Sequence, residues 1–197
     1  MFCLIALILS SWINSIGATS QIDARENSIK LHFSGQGNII DLEVGKFATC
    51  IVLSSGTVKC WGVNNDGILG QGDKARRGDM NNETDLSLKP IELPENFFAI
   101  GVSVGQTNVC VWSNLGEVVC WGALNGITGP VTEIIGDEDG EMGNSLYVFN
   151  FTNTQVTRVI VGDSTACALL SNGEVKCWGN DVNGVRGDGN QGPVSVD

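Results

Sequence analysis

Six of the seven cysteines in this 197-residue chain fall into three pairs of identical spacing: Cys50 with Cys60, Cys110 with Cys120, and Cys167 with Cys177. Such pairs can join as disulfides, hold a metal as thiolates, or stay reduced as small buried apolar groups. A zinc site fits poorly. The C-x9-C spacing lacks the Cys-x2-Cys limb that such sites use, and the only histidine, His32, lies outside the segments carrying the pairs. Other reactive groups are scarce. A Ser–His–Asp arrangement would have to recruit His32, and no G-x-S-x-G element is present, so no enzymatic activity and no cofactor are expected. The run Asp137-Glu138-Asp139-Gly140-Glu141 could offer oxygens to calcium, but it lacks the ligand alternation of an EF-hand loop and reads as a solvated loop. Arg77-Gly78-Asp79 and Arg186-Gly187-Asp188 each spell the tripeptide that integrins recognise, a sequence that glycine-rich loops generate readily.

The elements that must position these cysteines repeat three times. Each pair sits in a C-x5-G-x3-C-W-G segment, with a Val-Gly step five residues before the first cysteine and a G-x-x-G step after the Trp-Gly. The shared positions are Gly45, Gly56, Trp61 and Gly62; Gly105, Gly116, Trp121 and Gly122; and Gly162, Gly173, Trp178 and Gly179. An apolar stretch precedes each Val-Gly. Between the cysteines, Ser-Ser-Gly, Asn-Leu-Gly and Ser-Asn-Gly interrupt runs of Val, Ile, Leu and Trp, which is the pattern of a β-hairpin. A three-residue hairpin loop ends in the left-handed region, where glycine has no steric cost, and Gly56, Gly116 and Gly173 fall there. Pairing Leu53 with Thr57 then sets Cys50 opposite Cys60, and the same count aligns the other two pairs. Opposed residues have Cα atoms roughly 4.5 to 5.5 Å apart, within disulfide reach, so three disulfides inside the hairpins are expected. The tryptophans read as packing groups between strands, and Trp112, which stands where the other copies have Val52 and Leu169, reads as core filling.

Composition bounds the rest. A formal charge of −11 has the wrong sign for DNA, RNA or anionic membranes, and 26 glycines point to many turns. Residues Phe2 to Leu9 are unbroken apolar, no charged side chain precedes Asp23, and Ala18-Thr19-Ser20 supplies small residues for cleavage. Residues 1–20 therefore read as a secretory signal peptide, with an uncleaved membrane anchor as the alternative. Its removal discards Cys3 and leaves an even number of cysteines in an oxidising compartment. There, Asn82 and Asn150 would head usable N-glycosylation sequons.

This order of apolar strand, Val-Gly, turn Gly, Cys-Trp-Gly and G-x-x-G resembles the repeats of the regulator of chromosome condensation family, in its secreted, disulfide-containing version. The resemblance implies an all-β fold, with each unit a blade of a β-propeller. The expected organisation is a lead-in at 21–38 and three repeats over 39–197, at about 39–96, 97–155 and 156–197. Propellers close with roughly four to eight blades, so three units make a partial ring that needs further blades or self-association. The family's nuclear exchange-factor activity does not carry over to an acidic chain with a secretory leader. The expected function is protein–protein binding through the variable loops Gln71 to Glu95 and Pro130 to Asn153. A carbohydrate-binding or hydrolytic propeller using the acidic loop residues is the alternative.

Overall fold

A computed structural model describes residues 21–23, 28–30, 37–80, 83, 87–127, 133–151, 154–181 and 183–190. The signal segment and Asn82 lie outside them. Within the lead-in, β1 (Gln21–Asp23) and β2 (Ser28–Lys30) pair antiparallel as a separate two-stranded sheet.

Each repeat begins with three antiparallel strands in chain order. Unit 1 is built from β3 (Ile39–Val44), β4 (Ala48–Leu53) and β5 (Val58–Gly62). Unit 2 has β6 (Ala99–Val104), β7 (Asn108–Ser113) and β8 (Glu117–Ala123). Its insertion also contains β9 (Ile134–Ile135) and β10 (Val148–Asn150), which pair along one edge of β8. Unit 3 has β11 (Val156–Val161), β12 (Thr165–Leu170) and β13 (Val175–Gly179). No α-helix occurs among the described residues.

The hairpins have the register expected from their turns. Gly56 N–H donates to the Leu53 carbonyl at 2.8 Å and Leu53 N–H to the Thr57 carbonyl at 2.9 Å. Gly56 takes φ of 81°, in the region where any other residue is strained. Cys50 then faces Cys60, Cys110 faces Cys120, and Cys167 faces Cys177. All three pairs are disulfides, with Cα atoms 4.2, 4.1 and 4.0 Å apart. Such short separations suit the non-hydrogen-bonded positions of a ladder, which the parity from the Leu53–Thr57 pair assigns to these cysteines.

The sheets stack in sequence, each with a leading face toward the preceding unit and a trailing face toward the next. Cys50, Val52, Val58 and Cys60 of unit 1 share one core with Val102, Val109, Val111 and Trp121 of unit 2. Cys110, Trp112, Val118 and Cys120, on the opposite face of unit 2, share a second core with Val159, Ala166, Ala168 and Trp178 of unit 3. Trp112 is thus a core residue. The three sheets follow one another as blades and do not close into a ring.

Candidate interaction surface

The repeated motifs meet at the joints between blades. Trp121 of unit 2 donates its indole N–H to the carbonyl of Ile68, in the G-x-x-G step of unit 1, at 2.9 Å. Gly70 of that step has φ of 58°, and a Cβ there would come within 2.8 Å of the Trp121 indole nitrogen. At the first joint, Cys-Trp-Gly of unit 2 and Gly-x-x-Gly of unit 1 are therefore two halves of one latch; at the second, the Trp178 indole nitrogen is buried without such a partner. The polar residue that shapes the G-x-x-G step stands two places after Trp-Gly. Asn64 Oδ1 accepts from Leu69 N–H at 2.9 Å, and Asp181 Oδ1 accepts from Val185 N–H at 2.6 Å. Sequence reasoning missed both, because unit 2 has Leu124 at this position.

The other repeat glycines also serve the joints. Gly45, Gly105 and Gly162 each close the turn after the first strand by donating to Ala48, Asn108 and Thr165. A Cβ on Gly45 would meet the Gly105 carbonyl at 2.6 Å, and one on Gly105 the Gly162 carbonyl at 2.8 Å. The turns of successive blades thus touch backbone to backbone. Side chains add further ties, from Val102 N–H to Asp41 Oδ2 at 2.9 Å and from Val161 N–H to Ser103 Oγ at 3.1 Å.

The carbonyl of the Trp-Gly glycine is satisfied in three different ways. In unit 1, Gly62 and Arg77 exchange backbone hydrogen bonds at 2.8 and 3.0 Å. In unit 2, Gly122 pairs with Ile135 in β9. In unit 3, the Arg186 guanidinium donates to the Gly179 carbonyl at 2.7 Å. This arrangement decides the fate of both Arg-Gly-Asp tripeptides. The Arg186 side chain is buried and also pairs with Asp188. The Arg77 guanidinium binds Asp73 Oδ2 at 2.6 Å and the Ala75 carbonyl at 2.6 Å. Both arginines are spent on their own loops, which leaves little for an adhesion receptor.

The two insertions read as variable loops pack against each other across the first joint. Gly72 N–H donates to the Gly136 carbonyl at 3.0 Å, Gly143 N–H to the Glu92 carbonyl at 2.9 Å, and Lys74 pairs with Asp137 at 2.8 Å. The Asp137 hydrogen bond and charge hold the Lys74 ammonium above its ordinary value. The acidic run is partly structural. Glu141 Oε2 accepts from the N–H groups of Gly136, Asp137 and Glu138 at 2.8, 3.1 and 3.0 Å, folding the loop around its own carboxylate. Glu138 and Asp139 remain exposed, at the rim of a cleft of about 70 Å³ that Gln71, Lys89 and Met142 also line. Tyr147 is exposed on the other side, its ring 4.8 Å from Phe149, which packs against Trp178 at the second joint. The second insertion differs from a plain loop because it supplies β9 and β10, which cover the outer edge of β8. Asn150, at the end of β10, is exposed.

The family model for the regulator of chromosome condensation (RCC1) repeat matches residues 39–68 and 156–185, in units 1 and 3. Units 1 and 3 match the RCC1 repeat. The chain is similar to the ultraviolet-B receptor UVR8 of Arabidopsis thaliana, at 28% identity over 141 residues, covering 71% of this chain and 29% of the receptor. Among solved structures it is similar to Prp20p of Saccharomyces cerevisiae, with TM-score 0.57 and 14% identity over 88% of this chain and 41% of that one. The yeast RCC1 (Prp20) chain solved with Kap60 gives TM-score 0.55 at 19% identity, over 78% of this chain and 32% of its own. At these identities the likeness shows the RCC1 propeller fold. The chain spans less than half the length of each of these proteins.

Proposed function

We propose that this chain is a secreted or cell-surface protein-binding module without catalytic activity. The observation that carries the proposal is the union of the two insertions, which come from different blades yet form one surface through Gly72–Gly136 and Lys74–Asp137. Loops fixed on a rigid scaffold are the usual carriers of recognition. Exposed Lys89, Glu138 and Asp139 offer a charged rim that can match the charges of a partner. The solved relatives support a protein partner: Prp20 was crystallised with Kap60, and its binding to Gsp1p and histones has been described. Three disulfides agree with an extracellular location. Among the described residues no helix is long and apolar enough to cross a membrane.

The cleft at this surface is much smaller than the roughly 300 to 1,000 Å³ of a small-molecule pocket, which favours a protein over a glycan. A photo-crosslinking residue at exposed Glu138, compared with one at exposed Leu115 in the unit 2 hairpin turn, tests the reading. Protein adducts formed from position 138 and not from 115 support it. Equal labelling at both positions, or glycan-array binding abolished by Asp139→Asn, would overturn it.

A further inference from the structure

We propose that a small pocket between the first two blades takes the ammonium group of a lysine from a protein partner. It lies where the first turn of unit 2 meets the segment after Trp-Gly in unit 1, and Phe47, Val63, Asn65, Asp66, Gln106 and Thr107 line it. The second joint supplies an internal control. There Asn125 of unit 2 donates from Nδ2 to the Asp163 carbonyl in the turn of unit 3 at 3.4 Å, and Asn108 Nδ2 donates to the same carbonyl at 2.9 Å. Among the described residues, no hydrogen bond joins Asn65 or Asp66 to the corresponding turn residues Gln106 and Thr107, and about 40 Å³ stays open at the first joint. The hydroxyls differ in the same way. Ser164 Oγ reaches the Asn180 carbonyl at 3.4 Å, whereas Thr107 Oγ1, at the equivalent place in unit 2, is buried without a partner.

The lining selects its occupant by charge and size. Asp66 is the one charged side chain in it, and the side-chain carbonyls of Asn65 and Gln106 with Thr107 Oγ1 add neutral acceptors. The Phe47 ring already accommodates a cation, because the Lys46 ammonium stands 4.8 Å from its centroid. Lys46 is exposed, so it can leave the ring to an incoming charge at little cost. A lysine ammonium is close in size to a water molecule, whose share of liquid volume is about 30 Å³, and it carries three donors for such acceptors. A guanidinium is planar and larger. The net charge of −11 attracts basic partners over a distance. The pocket also adjoins the paired insertions, since a Cβ on Gly67, next to Asp66, would lie 2.7 Å from the Asp137 backbone nitrogen. It thus extends the protein-binding surface proposed for the insertions, and its assignment to a protein lysine rests on that reading.

Amide-resolved nuclear magnetic resonance of the full chain at physiological salt, with N-acetyl-lysine amide as the probe, tests this. Saturable shifts converging on Asn65, Asp66, Gln106 and Thr107 are expected, with none from N-acetyl-norleucine amide, which keeps the stem and lacks the charge. Asp66→Asn should weaken the lysine probe about tenfold, and Thr107→Val, which keeps the shape and removes the hydroxyl, about fivefold. Lys46→Gln should tighten it by removing the competing cation. Equal binding of the norleucine or arginine amide, shifts scattered over the acidic surface, or a lysine response that neither Asp66→Asn nor Thr107→Val weakens would overturn the proposal. Retained amide dispersion shows that each variant is folded. Protein adducts from position 138 without a lysine response overturn the pocket alone. A lysine response without such adducts supports the ammonium site and overturns the insertion surface.

Discussion

Gly101 of β6 lies directly opposite Trp112 of β7, and a Cβ on the glycine would overlap the indole. The equivalent pairs are Asp41 with Val52 and Arg158 with Leu169, so unit 2 exchanges side-chain volume across one rung of its ladder. Gly101→Ala should therefore destabilise the chain by about 1 to 3 kcal/mol through overpacking, and adding Trp112→Leu should recover much of that loss. Urea denaturation of the two single variants and the double variant measures the coupling. Additive losses would show that the indole does not depend on the missing Cβ.

The latch predicts unequal tryptophans. Trp121→Phe strips a buried donor from the Ile68 carbonyl, a loss of about 1 to 3 kcal/mol beyond that of ring volume. The indole nitrogen of Trp178 is buried without a hydrogen-bond partner, so Trp178→Phe should incur the volume loss alone. The same denaturation experiment compares them, and equal losses would count against the latch.

Each disulfide spans a sequence separation of 10 residues. Replacing any one pair by serine should cost about 2 to 3 kcal/mol on the loop-entropy account. Peptide mapping without reductant should recover Cys50–Cys60, Cys110–Cys120 and Cys167–Cys177, and any link between units would contradict the hairpin register.

Acid should loosen the first insertion. Burial raises the Asp73 pKa, but hydrogen bonds from Arg77, Ala75 and Asn64 and the charge of Arg77 outweigh it and hold the carboxyl below its ordinary 3.8. A depressed carboxylate contributes stability above its unfolded pKa and loses it as pH falls through the folded one, here below about pH 4. Protection of the Ala75 amide, which donates to Asp73 Oδ1 at 2.8 Å, should fall in that range. Asp73→Asn should lower that protection already at neutral pH and flatten its acid dependence.

The hairpins and their cysteine pairing were legible because one turn glycine sets a register that a count of residues carries to Cys50 and Cys60. The blades followed from the same pattern occurring three times. The joints were not legible. Trp121 and Ile68 lie in different units, 53 residues apart, and nothing local to either residue names the other. The fourth-strand segments were equally hidden, since β9 and β10 share no motif with Arg77 or with Ile91, whose N–H donates to Val58 in unit 1. What these segments have in common is the edge they cover. The contact between the two insertions depends on backbone groups at Gly72 and Gly136, which carry no side-chain signature.

The split latch also constrains how such a chain can lengthen or shorten over evolutionary time. Because each unit carries a Trp facing the unit before it and a G-x-x-G step facing the unit after it, duplicating or deleting one whole period, cut at any point, returns every Trp to such a step. An event that breaks the period strands one half of a latch in the core. Propeller genes built on this joint are thus free to change blade number by unequal crossing-over, while the spacing within a period stays under selection.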